Sequence, residues 1–448
     1  ARGIIGAIVT CALVSGLLLV LGGTAFGWEP PPPPPPPDAS DSPGPRGCGG
    51  QDGGGKGNGG GDTGSGCGSP VDSVNTFTGD LNIMDIPVWY EGVGEAMPFA
   101  ISYSSQGGGG ASMGPGWTHS FNASVVTDSP YGAYVHYGNG WEYYFASDGV
   151  GGYLAPVGVF DSLSAWGAGF RVVMRSRKRC CGRGGGGSGV STYSPPPMMQ
   201  MYVDPVGHLT QIKDPNGLTW ALGYSDGRLA TVTDPLGRQT TLTYTDDLLT
   251  RVTVPGGLYA TFQYDNYTPR RLWKITDAVG DTYTFGYSGT RMTSILGPDG
   301  QEVWYQYGTF NDKSVVVATG ISGVPESTKT YTYTERPLVG RLYTDVTEEK
   351  DGTSRVTRYN YEFDDDDTDG AYYGTPHRVV TDKYGLDLLH DYWYDSERRV
   401  VSERDSYDTE TGGKDHITRY YYTDSNNPNK PTKVIDPENW TGSASTSP

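Results

Sequence analysis

Cysteine, histidine and basic charge are all scarce in this chain, and each shortage narrows what the protein can do. There are 5 cysteines and 6 histidines among 448 residues. No spacing among the cysteines resembles a zinc site. Cys48 and Cys67 flank a glycine tract that a disulfide would close into a loop, while adjacent Cys180 and Cys181 cannot bond each other without strain. His119, His136, His208, His377, His390 and His416 are scattered, without the spacing of a metal site or a nucleophile triad, and read as ordinary strand or turn residues. Lys and Arg number 33 against 51 Asp and Glu, a net charge of −18. That balance argues against nucleic acid and anionic membranes as partners. Apolar residues are also few, at 35%. Low apolar content usually means disorder. Here, however, 33 tyrosines are spread among Thr, Val and Gly, the composition of half-buried strands.

The chain has a single long hydrophobic run, Ile4 to Leu21, preceded by Arg2 and followed by small residues up to Gly27. Residues 1–27 read as a secretory signal cleaved near Gly27–Trp28, or as an uncleaved membrane anchor. Either implies export, to a secreted or cell-surface location, with membrane contact only through residues 4–21. Residues 28–68 read as a disordered linker. Eight prolines, Pro30 to Pro37, form a stiff spacer reaching about 25 Å in polyproline geometry, and a glycine-dominated tract follows. Residues 69–170 alternate apolar and polar positions between turn clusters and read as a small β module. Residues 171–200 interrupt that style with Arg171, Arg175, Arg177, Lys178, Arg179 and Arg183 plus GGGG and PPP runs. They read as a disordered insertion, with a basic patch for an anionic polymer as the competing reading.

From residue 201 the sequence is periodic. Gly217, Gly237, Gly257, Gly280 and Gly300 each precede a tyrosine by seven residues: Tyr224, Tyr244, Tyr264, Tyr287 and Tyr307. Each tyrosine opens a turn such as Ser225-Asp226-Gly227, then a strand, then a second turn such as Asp234-Pro235-Leu236-Gly237. A second strand returns to the next tyrosine, with an apolar residue two positions before it on the same face. In the first strand the apolar residues stand three apart, as in Leu229/Val232, Leu249/Val252, Leu272/Ile275 and Met292/Ile295. Spacing of three breaks simple alternation and predicts a bulge in every first strand. The fold class expected is therefore all-β, with repetitive antiparallel hairpins wound into a spiral or open barrel.

The segment YSDGRLATVTDPLGRQTTLTY (224–244) and its downstream relatives resemble the YD repeat of Rhs proteins, wall-associated proteins and teneurins. VDSVNTFTGDL and GPGWTHSFN resemble the β module that precedes such repeats in bacterial members. The resemblance implies a hollow β cocoon over 201–448, and in toxin-bearing members one that encloses a C-terminal toxin. No toxin-like segment is recognisable here, so the chain reads as the N-terminal part of a longer one.

Among candidate sites, Asp365, Asp367 and Asp369 with Gly370 match the opening of a calcium loop, but Pro376 stands where a bidentate Glu belongs. The competing reading is a solvated acidic loop. No other cofactor is expected and no catalytic residue stands out. The leading expectation is a non-enzymatic shell for a C-terminal effector. The alternative is an adhesin that binds cell-surface glycans through its aromatics.

Overall fold

The computed structural model describes residues 71–93, 97–107, 112–156, 159–174, 199–308, 314–321, 323–336, 340–361, 377–381, 388–395, 399–406, 416–423 and 431–435. Residues 1–27 and 28–68, expected to be a leader and a linker, all five cysteines and Asp365, Asp367 and Asp369 lie outside the described residues.

Every regular element among the described residues is a β-strand. A first antiparallel sheet holds β1 (Val71–Val74), β2 (Leu81–Val88), β3 (Phe99–Ser104) and β4 (Trp117–His119) in that order. A second holds β5 (Ser124–Asp128), β6 (Gly132–His136), β7 (Glu142–Ser147) and β8 (Tyr153–Leu154). The remaining 22 strands build one long antiparallel sheet. It begins with β9 (Ser162–Trp166), β10 (Gly169–Met174), β11 (Met199–Val203), β12 (Leu209–Lys213), β13 (Thr219–Ser225), β14 (Arg228–Thr233), β15 (Gln239–Thr245) and β16 (Leu248–Thr253). It continues through β17 (Tyr259–Tyr264), β18 (Leu272–Thr276), β19 (Thr282–Ser288), β20 (Arg291–Leu296), β21 (Gln301–Tyr307), β22 (Ser314–Ile321) and β23 (Val324–Arg336). The last strands are β24 (Gly340–Lys350), β25 (Thr353–Asn360), β26 (Arg378–Thr381), β27 (Leu388–Tyr394), β28 (Val400–Ser406), β29 (His416–Tyr421) and β30 (Lys433–Ile435). Each strand from β9 onward pairs with the next in sequence, so the all-β hairpin architecture expected from the periodicity is the one observed.

One expectation is corrected. The basic segment 171–200 is not disordered at its ends: residues 171–174 complete β10, residues 199–200 open β11, and Met174 pairs with Met199. The alternation Phe170-Arg171-Val172-Val173-Met174 drives this, since Val172 is fully buried while Arg171 lies on the opposite face over the Trp166 ring. Residues 175–198 lie outside the described residues.

The hairpin turns explain the glycines. In the loop between β13 and β14, Asp226 and Gly227 both have left-handed φ, of 51° and 76°. That pair of angles suits a two-residue hairpin turn. The bulge expected in each first strand is present. Gly223 pairs with Thr231 but Tyr224 pairs with Leu229, which leaves Ala230 unopposed. The same shift leaves Thr250, Trp273 and Thr293 unopposed in β16, β18 and β20. One extra residue lets Leu229 and Val232, three apart, both reach the core.

In three units the second turn is built around a buried carboxylate, Asp214, Asp234 or Asp277, while Val254 and Gly297 stand at that position in two others. Asp214 is 1% exposed, and one of its oxygens accepts the amides of Asn216 and Leu218 at 2.9 and 2.8 Å. Asp234 holds Leu236 and Arg238 in the same way, and Asp277 holds Val279 and Asp281. The glycine three positions on, such as Gly237 with φ of 79°, turns the chain back. Burial alone would raise the Asp234 carboxyl, but the Arg238 and Leu236 amides and the Arg238 guanidinium hold it below the ordinary range. A carboxyl lowered on folding adds stability above its unfolded pKa and loses it as pH falls through the folded value, so Asp234 protects the fold until below about pH 4. Replacing Asp214 by Ala strands two amide donors. The expected cost is about 1–3 kcal/mol, read as a lower urea midpoint at unchanged slope.

Candidate functional site: repeat joints and the sheet that covers them

Between hairpins the ladder is short. β14 and β15 share three register pairs, Thr231 to Thr241 through Thr233 to Gln239, while the hairpin β13–β14 shares five. At the bulged end the strands part, and the Leu229 carbonyl has no ladder partner there. The tyrosine of the next unit closes that gap. Tyr244 donates its hydroxyl to the Leu229 carbonyl at 2.9 Å, 15 residues earlier. Tyr224 does the same to Leu209, Tyr264 to Leu249, Tyr287 to Leu272 and Tyr307 to Met292, each again 15 residues apart. Burial pushes all five hydroxyls up, that of Tyr244 to about 12, so each is a committed donor at neutral pH. Arg228, Arg271 and Arg291 lie over the rings of Tyr244, Tyr287 and Tyr307. The sequence-identified glycines and tyrosines are thus turn and joint of one repeated device.

The bulges also expose amides, and the first sheet supplies their partners. Leu249 N–H donates to the Ser112 carbonyl at 2.8 Å. Met292 N–H donates to the buried Tyr103 hydroxyl at 2.9 Å. Between them Gly114 presses against the Arg270–Leu272 backbone, where an added Cβ would lie 2.7 Å from the Arg270 carbonyl oxygen. Trp117 donates its indole N–H to the Tyr287 hydroxyl at 2.9 Å, and its ring packs on Phe285. Phe99 packs on Phe262. In the turn between β1 and β2, Thr76 hydrogen-bonds Tyr361, and Thr344 donates to the Thr76 carbonyl at 2.6 Å.

The far end of β2 reaches the aspartate turns. Ala278 N–H donates to the Pro87 carbonyl at 3.0 Å, and Arg238 donates to the Glu91 carbonyl at 3.0 Å while lying over the Tyr90 ring. Asp85 is 4% exposed; one oxygen accepts the Ile86 amide and the other has no partner. Burial raises its carboxyl to about 7, partly offset by that amide and reinforced by the charge of Asp277. His119 is 2% exposed, and burial lowers it to about 4.

The other sequence candidates do not converge. His136 contacts Glu142 on the surface, His208 stacks on Tyr224, and His390 lies 3.6 Å from Glu403. No group of three or more His, Cys, Asp or Glu poised for a metal occurs among the described residues. Sequence reading missed the residues that bind the two sheets together, Tyr103, Ser112 and Trp117, and the buried Asp85. Only the GPGW segment, with its paired glycines, signals a close backbone approach there.

Fold and joints define a tandem β-hairpin repeat protein. Residues 224–258 match the family described as RHS Repeat. No curated protein matches it. Among solved structures, a TcdB2-TccC3-Cdc42 complex is similar at 12% identity and a TM-score of 0.30, over 77% of this chain and 21% of that one. The Photorhabdus luminescens Tc holotoxin pore is similar at 10% identity and a TM-score of 0.28, over 79% and 20%. A porin-like protein from Bacteroides uniformis gives 10% identity and a TM-score of 0.23, over 57% and 91%. The chain spans about a fifth of the length of the Tc chains it matches. None of these TM-scores reaches the range of a shared fold.

Replacing Tyr103 by Phe keeps the ring but leaves the buried Met292 amide without its acceptor. We expect a loss of about 1–3 kcal/mol in chemical denaturation, against less than about 0.5 kcal/mol for Tyr131→Phe, whose side chain is 70% exposed.

Proposed function

We propose that this chain is the shell-building region of an exported RHS-repeat protein that encloses or presents a C-terminal effector carried on the complete protein. The observation that carries the reading is the uninterrupted ladder from β9 to β30, in which successive hairpins from Tyr224 to Tyr307 are bonded by one repeated joint. A sheet that grows by identical joints suits a wall more than a catalytic cleft. The reading is therefore non-enzymatic. Export is supported by the apolar run Ile4–Leu21 and the proline spacer behind it. The first sheet already occupies the apolar face around Leu249, Leu272 and Met292, which favours placing any cargo against later strands.

A second reading, adhesion to carbohydrate, is favoured by one surface. On the solvent side of β5, β6 and β7, Val126, Tyr134 and Tyr144 form a cross-strand row, with Tyr131 beside it at 70% exposure. Tyrosine faces offer a flat apolar surface for the C–H face of a sugar ring.

Limited proteolysis of the complete gene product separates the two. Enclosure predicts that sequence C-terminal to residue 448 resists a protease that cuts the same segment rapidly when made alone. Equal cutting would sink enclosure, and glycan binding lost in Tyr134→Ala would favour adhesion instead.

A further inference from the structure

The junction between β2 and the turn at Asp277 contains two buried carboxylates and a hydrogen-bond vacancy. Asp85 stands in the core-facing row of β2 with Leu81 and Ile83, and its second carboxylate oxygen has no partner. Asp277, 7% exposed, lies near enough for its charge to act on Asp85, and its turn is tied to β2 by the Ala278 to Pro87 bond. Across β3 and β4 the same row continues through Ile101 to His119. His119 and, across from Ile83, Tyr103 are the other titratable groups on that face; burial keeps His119 neutral above about pH 4 and pushes the Tyr103 hydroxyl up to about 12. Asp234 and Arg238 face Tyr90 and Glu91 at the far end of the segment. No cation therefore opposes the pair from β2, β3, β4 or the turn among the groups described. Two like charges in a buried site cannot both be held ionised cheaply.

We propose that Asp85 carries a proton taken from solvent water at neutral and lower pH, and that this proton latches the first sheet onto the repeat sheet. Protonation removes the repulsion with Asp277 and the charge from the orphaned oxygen. Releasing the proton to water restores the repulsion between two buried carboxylates and loosens the junction. The sign follows from the direction of the shift. A carboxyl raised on folding contributes stability that is complete below its unfolded pKa and is lost as pH rises through the folded value, a window from about 4 to about 7. The latch therefore closes in acid and opens above neutrality. This is opposite in sign to the Asp234 turn, so the two are distinguishable in one pH series.

The test is native-state hydrogen exchange at the Ala278 amide in the full chain, expressed as a protection factor so that intrinsic exchange is divided out. Protection should fall by up to about tenfold per pH unit between pH 5 and 7, the limit for one linked proton, and level off above. Asp85→Asn, which keeps the shape without the titration, should flatten the profile. A flat profile in the unmodified protein overturns the latch, as does the same slope in Asp85→Asn. Repeating the series with calcium and with EDTA closes the remaining route. Superimposable curves support a proton, whereas protection that rises with calcium assigns the neutralising charge to a cation and overturns the proposal.

Discussion

The structure depends on one hydrogen bond repeated along the sheet, from a tyrosine hydroxyl to the carbonyl of a bulge residue 15 positions earlier. A bulge curves a strand and sharpens its twist, but it removes backbone groups from the ladder. Left unpaired in a buried setting, each such group costs about 1–3 kcal/mol. Repeating the bulge in every unit would accumulate that cost. The tyrosine removes it one unit at a time, because its ring spans the opening where adjacent hairpins part after three register pairs. Curvature and stability are thereby obtained from the same position.

The amide side of the bulge has a different solution. Where Ser112 and Tyr103 meet Leu249 and Met292, a segment more than a hundred residues away in sequence satisfies the N–H groups. The first sheet thus docks onto the irregularities of the repeats and not only onto their apolar surface. Gly114 lets the backbones approach, and Trp117 reads a joint directly by donating to the Tyr287 hydroxyl. The same sheet reaches the aspartate turns at its other end, so turn, joint and bulge are all contacted by one element.

Much of the repeat was legible from sequence because its causes are local. The seven-residue offset from glycine to tyrosine marks a left-handed turn residue and a joint residue on one strand. Spacing of three between Leu229 and Val232 demanded an extra residue, and Ala230 is that residue. The Asp-Pro turns were legible as turns, but the burial of Asp214 and Asp234 was not, since a carboxylate beside proline looks solvated until the strands close over it. The docking of the first sheet was illegible for a stronger reason. Asp85, Tyr103 and Trp117 sit in ordinary alternating patterns, and only the tertiary contact decides that they meet a turn, a bulge and a joint 170 or more residues away. The basic segment misled at its edges because charge at Arg171 obscured the buried Val172 beside it.

The most direct measurement is residue-resolved hydrogen exchange on Tyr244→Phe, which deletes one joint hydroxyl and keeps its ring. If the tyrosine joins neighbouring units, protection should fall at the β14–β15 seam around Thr231 to Thr241 while the β13–β14 and β15–β16 hairpins keep theirs. Unchanged protection at that seam, or a uniform loss across all hairpins, would contradict the account.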